Sequence, residues 1–426
     1  MAVLENTRLQ EARAQTLALV EGISDADLER VHSPLMSPLV WDLGHIATFE
    51  DLWLAHRLGG LPLLRADLLE VYDAFETPRA KRGELPYLRR EQATRYLHAV
   101  RERVERLRLG DEEPLAELVV RHERQHAETM LQTLALAALP DWCPGGVLAA
   151  AEEPATAAAA ELAACSGLEL IELPATSFPL GAAGGRFAYD NELAVHQVEV
   201  EAFAIGRVPV TNRDWLEFIE DGGYELAEWW SPQGWEWRLR ENARRPLHWL
   251  EDGREQRLRG IEELDLERPV IHVCCHEADA FVRARGLRLP SEAEWELAAT
   301  FDHSAGVKRA WPWGEHGPGA QEANLIESGN FAPLPVGALG AGAAPCGARG
   351  MIGEVWEWTA SEFGGYPGFR ANPYREYSEV FFGGGYRVLR GGSFATSALV
   401  ATSTFRNWDL PSRRQIFAGL RVAADA

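Results

Sequence analysis

Two histidines one helical turn apart are the residues of this chain best suited to chemistry. They lie in the stretch RHERQHAETML, within a run whose members follow one another at three- or four-residue intervals: Leu115, Leu118, His122, His126 and Met130. This spacing puts both imidazoles on the apolar stripe of one helix. Buried ring nitrogens need partners, and a bound metal ion would serve both rings. The pair therefore predicts a metal site.

A third ligand is expected from another helix. His45 lies in WDLGHIATFEDLW, where apolar residues at helical spacing mark a core element. Its imidazole is therefore predicted to face the same interior as the His122 and His126 pair. The alternative for each of these histidines is an ordinary core imidazole that hydrogen bonds to the protein.

Three neutral imidazoles would leave open positions on a six-coordinate metal. This arrangement suits non-haem Fe(II) that must hold a substrate and dioxygen together. Three histidines and a water also describe a hydrolytic zinc site, so ligand type does not choose between the two metals. Gln125 lies between the paired histidines. Its side chain is predicted either to contact a bound ligand or to pack between helices.

Four helices must position these ligands. Segments with apolar residues at three- and four-residue spacing cover residues 4–23, 37–60, 90–110 and 113–139. Four such helices with connecting loops predict a bundle. Ser24 is predicted to start a helix, and Gly59 with Gly60 to end one.

The composition and the hydrophobic pattern of the sequence change after residue 145. Residues 145–167 are rich in Ala, Glu and Pro and resemble a linker. Beyond them come strand-like runs at 196–206 and 386–394 and short helical runs at 211–223, 274–286 and 290–300. We therefore predict a helical domain at 1–145, a linker at 146–167 and an α+β domain at 168–426, because 426 residues exceed one usual core.

Composition excludes several classes of partner. Hydrophobic residues at 46% and charged residues at 25% predict a globular protein. The formal charge of −22 disfavours nucleic acid and anionic membranes. No apolar run reaches the roughly 20 residues of a membrane helix, and no basic and apolar leader pattern starts the chain. The five cysteines form no CxxC pair. A cytoplasmic location is expected.

The motifs in both halves resemble known families. The ordered set RVPVTNRDWLEFI, WPWGE, GARGMIGEVWEWTAS, VLRGGSF and FRNWDLPSRRQIFAGLRV resembles the formylglycine-generating-enzyme/sulfatase-modifying-factor domain, a C-type-lectin-like fold. WDLGH with HxxxH resembles the DinB-like four-helix bundle and its three-histidine site. The combination resembles the ergothioneine-pathway sulfoxide synthases, or hercynine oxygenases, and implies a multidomain α and α+β protein.

This resemblance implies a specific reaction. In that family Fe(II) and dioxygen serve to join the imidazole C2 of hercynine to a thiol sulfur, and the sulfur becomes a sulfoxide. His45, His122 and His126 match the iron ligands. Formation of the C–S and S=O bonds supplies four electrons to dioxygen, so neither a reductant nor an organic cofactor is implied.

Four further residues match contacts to the thiol substrate. Arg79 and Arg82 in PRAKR match arginines of the actinobacterial-type members that use γ-glutamylcysteine, and guanidinium groups suit carboxylates. Asp409 and Arg413 match positions that bind the ammonium and carboxylate groups of the same thiol. Without the resemblance, the arginines would be assigned to a solvated loop, and Asp409 with Arg413 to a local ion pair.

Another four residues match contacts to hercynine and the reacting centre. Asn407 and Trp408 match the hercynine pocket, and an aromatic face suits a trimethylammonium cation, although Trp408 alone would be assigned to the core. Tyr374 matches the tyrosine near the iron, where a phenol can donate a proton and favour sulfoxide formation over plain thiol oxidation. Tyr377, three residues later, matches a supporting contact and could exchange roles with Tyr374.

Other functions remain open at this stage. The same chemistry could use cysteine or a selenosugar as the acceptor partner. A DinB-type thiol transferase with zinc or nickel, and a lectin-like binding module without catalysis, are further alternatives. Formylglycine generation is disfavoured because no cysteine follows Cys346, whereas that chemistry uses a cysteine pair near the C-terminal motifs.

Overall fold

The computed structural model contains two compact units that meet in sequence near residue 150. It describes residues 3–107, 114–140, 142–145, 148, 166–372, 374 and 377–426. Most of the linker predicted at 146–167 lies outside the described residues, so the exact domain limits stay a prediction.

A helical bundle forms the first unit. Its helices are α1 (Val3–Val20), α2 (Asp25–Glu29), α3 (Leu39–Glu50), α4 (Arg90–Val104) and α5 (Pro114–Ala137). Helix α3 continues directly into a π-helix, Asp51–Leu58, and short 3₁₀ turns follow at Ala66–Leu68 and Arg79–Glu84. Helix α1 packs on α5, and α3 packs on both α4 and α5. The four long helices occupy the segments that apolar periodicity predicts, and Ser24 caps α2 by accepting a hydrogen bond from Asp27 N.

A buried ion network joins the four long helices. Arg13 of α1 binds Glu50 of α3 at 2.7 Å and Glu123 of α5 at 2.8 Å. Arg101 of α4 binds the same two carboxylates at 2.7 and 3.4 Å. Burial alone would raise the pKa of Glu50, but Arg101 and Arg13 outweigh burial and lower it. Glu50 and Glu123 belong to the helices of His45 and His122, so the network restrains the ligand-bearing helices against each other.

The second unit is α+β. Its helices are α6 (Asn212–Glu220), α7 (Pro232–Arg240), α8 (Cys275–Ala284) and α9 (Glu292–Thr300). Its strands are β1 (Leu170–Leu173), β2 (Thr176–Leu180), β3 (His196–Val200), β4 (Phe203–Gly206), β5 (Arg254–Arg257), β6 (Gly260–Glu263), β7 (Phe301–Asp302), β8 (Val307–Lys308), β9 (Trp356–Glu362), β10 (Arg387–Arg390), β11 (Asn407–Asp409), β12 (Ala418–Leu420) and β13 (Ala423–Asp425).

The largest sheet of the described residues positions the C-terminal motifs. Its order is β11-β10-β9-β12, with β12 parallel to β9 and the other pairs antiparallel. Trp356 and Trp358 of β9 are buried, and Val388 of β10 lies opposite Trp408 of β11. A second sheet has the order β1-β4-β13, and two-stranded pairs complete the unit.

The helices predicted at 211–223, 274–286 and 290–300 are confirmed as α6, α8 and α9. Helix α7 was not predicted, because its tryptophan-rich sequence lacks a clear apolar stripe. Ser231 caps it and Pro232 begins it. None of the helices formed by the described residues combines the length and apolar character of a membrane span.

Candidate metal centre

Three imidazoles from two bundle helices converge in the first unit. His45 comes from α3, and His122 and His126 come from α5. One ring nitrogen from each lies within 4.8 Å of the other two, and the set could hold a metal ion. Nε2 of His45 lies 3.1 Å from Nε2 of His122. Adjacent ligands about 2.1 Å from a metal are separated by roughly 3.0 to 3.4 Å, so these nitrogens are spaced as neighbouring ligands.

Hydrogen bonds behind two of the rings fix which nitrogen faces the centre. Nδ1 of His45 donates to the carbonyl of Tyr72 at 2.7 Å. Nδ1 of His126 donates to a carboxylate oxygen of Asp42 at 2.9 Å. Both acceptors require a proton on Nδ1, so in the neutral form of each ring it is Nε2 that carries the lone pair. This is the arrangement by which a protein presents histidine to a metal.

Burial favours the neutral form of His45 and His122. His45 and His122 are 4% and 8% exposed. Burial lowers the pKa of His45 well below the usual value, and His126 lowers it further, while the Tyr72 carbonyl opposes the shift. The pKa of His122 is lowered by burial and then by the other two histidines. A neutral His122 can donate from Nε2 to the His45 lone pair at 3.1 Å. Its other tautomer would turn both lone pairs toward one cation, so the donor set fits a metal.

Four residues of the WDLGH motif contribute to the metal centre. Trp41 stacks on the His45 ring, with centroids 4.9 Å apart and planes 12° apart. Asp42 holds His126 of the other helix. Gly44 is needed because a Cβ there would lie 2.1 Å from the Tyr72 ring, and Tyr72 supplies the carbonyl that orients His45. The motif therefore builds both the ligand and its supports.

The supporting aromatic rings extend to an arginine. Phe49 stacks on His122, with ring centroids 3.6 Å apart. Arg82 lies over Trp41 at 3.9 Å and is 5% exposed. Its guanidinium donates to Thr77 O, Ser37 Oγ and Ala74 O, at 2.8 to 2.9 Å. In this structure Arg82 braces the loop before α4, and its contact with the thiol substrate stays a prediction.

Arg79 and Gln125 have more accessible surroundings. Arg79, at the start of the 3₁₀ turn, is half-buried, and its guanidinium makes long contacts of 3.5 Å with Leu35 O and Met36 Sδ. Gln125 is half-buried on α5, and its backbone carbonyl accepts from Thr129 Oγ1 at 3.2 Å. Both stay predicted substrate contacts.

In the second unit, the predicted aromatic residues form a cluster. Tyr377 meets Trp408 edge to face, with ring centroids 5.5 Å apart, and Tyr374 lies 6.4 Å from Tyr377. Trp408 stacks on Phe363 at 4.1 Å, and Tyr377 stacks on Tyr189 at 4.3 Å. The structure thus brings together the two tyrosines and the tryptophan that the sequence singles out.

The polar members of FRNWDLPSRRQ lie beside this cluster on β11 and the turn after it. Arg413 forms a loose ion pair with Asp409, with Nε and Oδ1 3.6 Å apart, and both side chains are about one quarter exposed. Asn407 Oδ1 accepts from Trp408 N at 2.9 Å, and Asp409 Oδ1 accepts from Leu410 N at 2.8 Å. These local bonds leave the charged ends partly accessible.

Two supports of the metal centre were not predicted from the sequence. Asp42 is completely buried on a helix whose neighbouring positions are apolar. A charged residue on such a face was the available signal, because an isolated buried carboxylate is costly. The Tyr72 contribution is a backbone carbonyl, for which the side-chain pattern offers no signal.

Comparison with known proteins matches both units. The DinB superfamily model matches residues 8–138, and the sulfatase-modifying factor enzyme 1-like domain matches residues 157–426. These matches confirm the two domain resemblances and the mixed α and α+β fold class. A solved structure of PvdO from Pseudomonas aeruginosa is 21% identical, with a TM-score of 0.43, over 65% of this chain and all of that one.

Full-length relatives share one name. The hercynine oxygenase of Mycolicibacterium thermoresistibile is 44% identical over 98% of this chain and 94% of its own length. The hercynine oxygenase of Mycolicibacterium smegmatis is 44% identical over 97% of both chains. With this identity over nearly its whole length, the chain belongs to the hercynine oxygenase family and is an oxygenase enzyme.

Proposed function

We propose that this protein uses Fe(II) and dioxygen to join hercynine to γ-glutamylcysteine, giving γ-glutamylcysteinyl-hercynine sulfoxide in ergothioneine biosynthesis. The C2–H of the hercynine imidazole and the thiol S–H are lost, and a C–S bond forms. One oxygen atom of dioxygen enters the sulfoxide and the other leaves as water. The atoms and the four electrons balance without another reductant. The cytoplasmic location stays a prediction.

The observation that carries this proposal is the convergence of three imidazoles from two helices. Asp42 and the Tyr72 carbonyl orient two of them, so their Nε2 lone pairs point at a common centre. An all-nitrogen set of three leaves positions for substrates on a six-coordinate ion. When bound there, Fe(II) would supply dioxygen activation and lower the pKa of a coordinated thiol.

The side chains of the second unit would bind and orient the substrates. Trp408 offers an aromatic face for the trimethylammonium group of hercynine, and the Asn407 amide would accept or donate a hydrogen bond. Asp409 and Arg413, partly exposed and loosely paired, match the ammonium and carboxylate groups of γ-glutamylcysteine in charge. Arg79 adds a second guanidinium for a carboxylate.

A phenol has a separate role in this proposal. Tyr374 would hold or deliver a proton at its hydroxyl oxygen during sulfoxide formation. Tyr377, packed between Tyr189 and Trp408, would support it. Tyr374→Phe keeps the ring and removes only the hydroxyl, so this variant isolates the role of the phenol as a proton donor.

The decisive experiment is a reaction under air. Protein purified without oxygen and loaded with Fe(II) is mixed with hercynine and γ-glutamylcysteine, and the products are analysed by mass. The expected product is the sulfoxide conjugate, with one atom of ¹⁸O from labelled dioxygen. His122→Ala, which removes one ligand, should abolish the product. Conjugate formation without oxygen uptake would contradict the proposal.

The same assay tests the alternatives. Cysteine and a selenosugar compete with γ-glutamylcysteine in parallel reactions, and the partner with the highest kcat/KM is the substrate. Thiol transfer that proceeds with Zn(II) or Ni(II) and needs no dioxygen would favour a DinB-type transferase instead.

A further inference from the structure

Four consecutive residues of the second unit, 189–192, touch both stretches that carry the predicted substrate contacts. We call them the anchor segment. Its sequence is Tyr-Asp-Asn-Glu, and it precedes β3. Two of its carboxylates and one of its backbone carbonyls accept hydrogen bonds, and its tyrosine ring stacks on another ring. All of these partners lie about 180 to 215 positions further along the chain. Its role is therefore to hold distant parts of the chain together.

Asp190 holds the tyrosine-bearing stretch from both sides. Its carboxylate is completely buried. Ser378 Oγ donates to Oδ1 at 2.5 Å, and Asn372 N donates to Oδ2 at 3.2 Å. Asn372 precedes Tyr374 by two residues, and Ser378 directly follows Tyr377. A single carboxylate thus bonds the backbone before the tyrosines and a side chain after them.

The neighbouring residue fixes the orientation of one tyrosine. Tyr189 stacks on Tyr377 with ring centroids 4.3 Å apart and planes 8° apart. Tyr377 in turn meets the edge of Trp408. Phe405 packs against Tyr189 at 5.4 Å, so Tyr189 is itself held in place.

The other end of the anchor segment holds the residues before β11. Glu192 Oε2 accepts from Thr404 Oγ1 at 2.6 Å. Arg406 donates from Nη1 to the carbonyl of Asn191 at 2.8 Å. Asn407 and Trp408 follow directly. The anchor segment therefore sets the spacing between the tyrosines and the tryptophan.

We propose that Asp190 is a positioning residue that fixes Tyr374 and Tyr377 relative to Trp408 and thereby controls the product that forms. The proposal rests on the function proposed above. Asp190 bonds protein atoms on both sides of the tyrosines, and it acts through them. Loss of its bonds would let the phenol leave its working position. The enzyme would then add both atoms of dioxygen to the sulfur of γ-glutamylcysteine, giving the sulfinic acid (RSH + O2 → RSO2H), without coupling it to hercynine.

Two variants and a matched control test the role. Asp190→Asn removes the charge and one acceptor oxygen, and Ser378→Ala removes one donor. Asp214→Asn is the control, because Asp214 is also a buried aspartate that accepts from a serine hydroxyl and a backbone amide, Ser166 Oγ at 2.7 Å and Gly167 N at 2.9 Å. It accepts in addition from Thr211 N and Thr211 Oγ1, so its loss is at least as disruptive to the fold. Its partners belong to neither the tyrosine stretch nor β11.

The first readout is hydrogen–deuterium exchange of the metal-free protein. Peptides that contain the two tyrosines should exchange faster in Asp190→Asn and Ser378→Ala than in the wild type, and should be unchanged in Asp214→Asn. The second readout is the ratio of oxidised γ-glutamylcysteine to sulfoxide conjugate. It should rise about tenfold in Asp190→Asn, as expected when a charge-assisted hydrogen bond is lost, in the same direction as in Tyr374→Phe.

The outcomes separate this inference from the proposed function. A wild-type protein that makes no conjugate would refute the proposed function, and the exchange measurement would still test whether Asp190 holds the tyrosines. An active wild type whose product ratio and exchange are unchanged by Asp190→Asn would overturn the positioning role. An equal change in Asp214→Asn would also overturn it, because the effect would then come from general destabilisation.

Discussion

Replacement of Asp42 by asparagine should weaken metal binding without unfolding the bundle. Asp42 Oδ1 accepts the Nδ1 hydrogen of His126 at 2.9 Å, and among the described residues no atom bonds to Oδ2. Asparagine keeps an oxygen at the same place but removes the negative charge. The His126 ring then becomes a poorer donor of its Nε2 lone pair, and its orientation is less strongly fixed.

The size of the effect follows from this single supporting bond. Loss of a carboxylate behind a histidine ligand typically reduces metal affinity by about 10- to 100-fold, which equals about 1.4 to 2.8 kcal/mol. The metal-free protein should melt at the same or a slightly higher temperature, because the change removes a buried carboxylate whose Oδ2 has no hydrogen-bond partner among the described residues.

The assay is an anaerobic Fe(II) titration of both proteins by calorimetry, together with thermal melts of the metal-free forms. Asp51→Asn is a suitable control. Asp51 is also buried, next to α3, but it pairs with Arg103 at 2.8 Å and accepts from Leu64 N. Its replacement should lower the melting temperature and leave the Kd for Fe(II) unchanged. An unchanged Kd in Asp42→Asn would refute the reasoning.

Three further predictions concern substrate binding and stability. Arg79→Ala should raise the KM for γ-glutamylcysteine by about tenfold or more without changing the melting temperature. Arg82→Ala should destabilise the metal-free protein by about 2 to 4 kcal/mol, because it removes three buried hydrogen bonds. Thermal melts and steady-state kinetics distinguish the two variants, and identical behaviour would contradict this difference between the two arginines. Trp408→Leu keeps apolar bulk but removes the aromatic face, so it should raise the KM for hercynine about five- to thirtyfold, and an unchanged KM would exclude Trp408 from the cation pocket. Burial raises the pKa of Glu354 to about 7 from 4.5. Between these values the native state holds a proton that the unfolded state has lost, so the free energy of unfolding falls as pH rises through this range. Glu354→Gln should therefore raise the melting temperature more at pH 8 than at pH 5, and an equal shift at both pH values would contradict this prediction.

Much of the metal centre could be predicted from local spacing. The positions of His122 and His126 on one turn, and of His45 among apolar neighbours, report which face of each helix is buried. Because bundle helices bury one stripe each, ligands on those stripes must meet in the interior. The structure brings these three side chains together. Binding of iron at this site stays a prediction.

Contacts between side chains far apart in the chain could not be predicted. His126 and Asp42 are 84 residues apart, and their bond depends on how α3 and α5 are packed. Arg82 lies three residues from Arg79, yet one is buried over Trp41 and the other is half-buried. Position within a short motif does not reveal which of two arginines is buried and hydrogen bonds to the surrounding loop.

Local patterns were enough to predict the helical and α+β halves, the three histidines and the aromatic residues near the C-terminus, because periodicity and residue type are local properties. Which atoms orient those residues depends on how separate elements pack. The carbonyl of Tyr72, the carboxylate of Asp42 and the carboxylate of Asp190 each act across a contact that forms when separate elements pack. Hydrogen bonds demand distances and angles that hold only after packing has set the backbone.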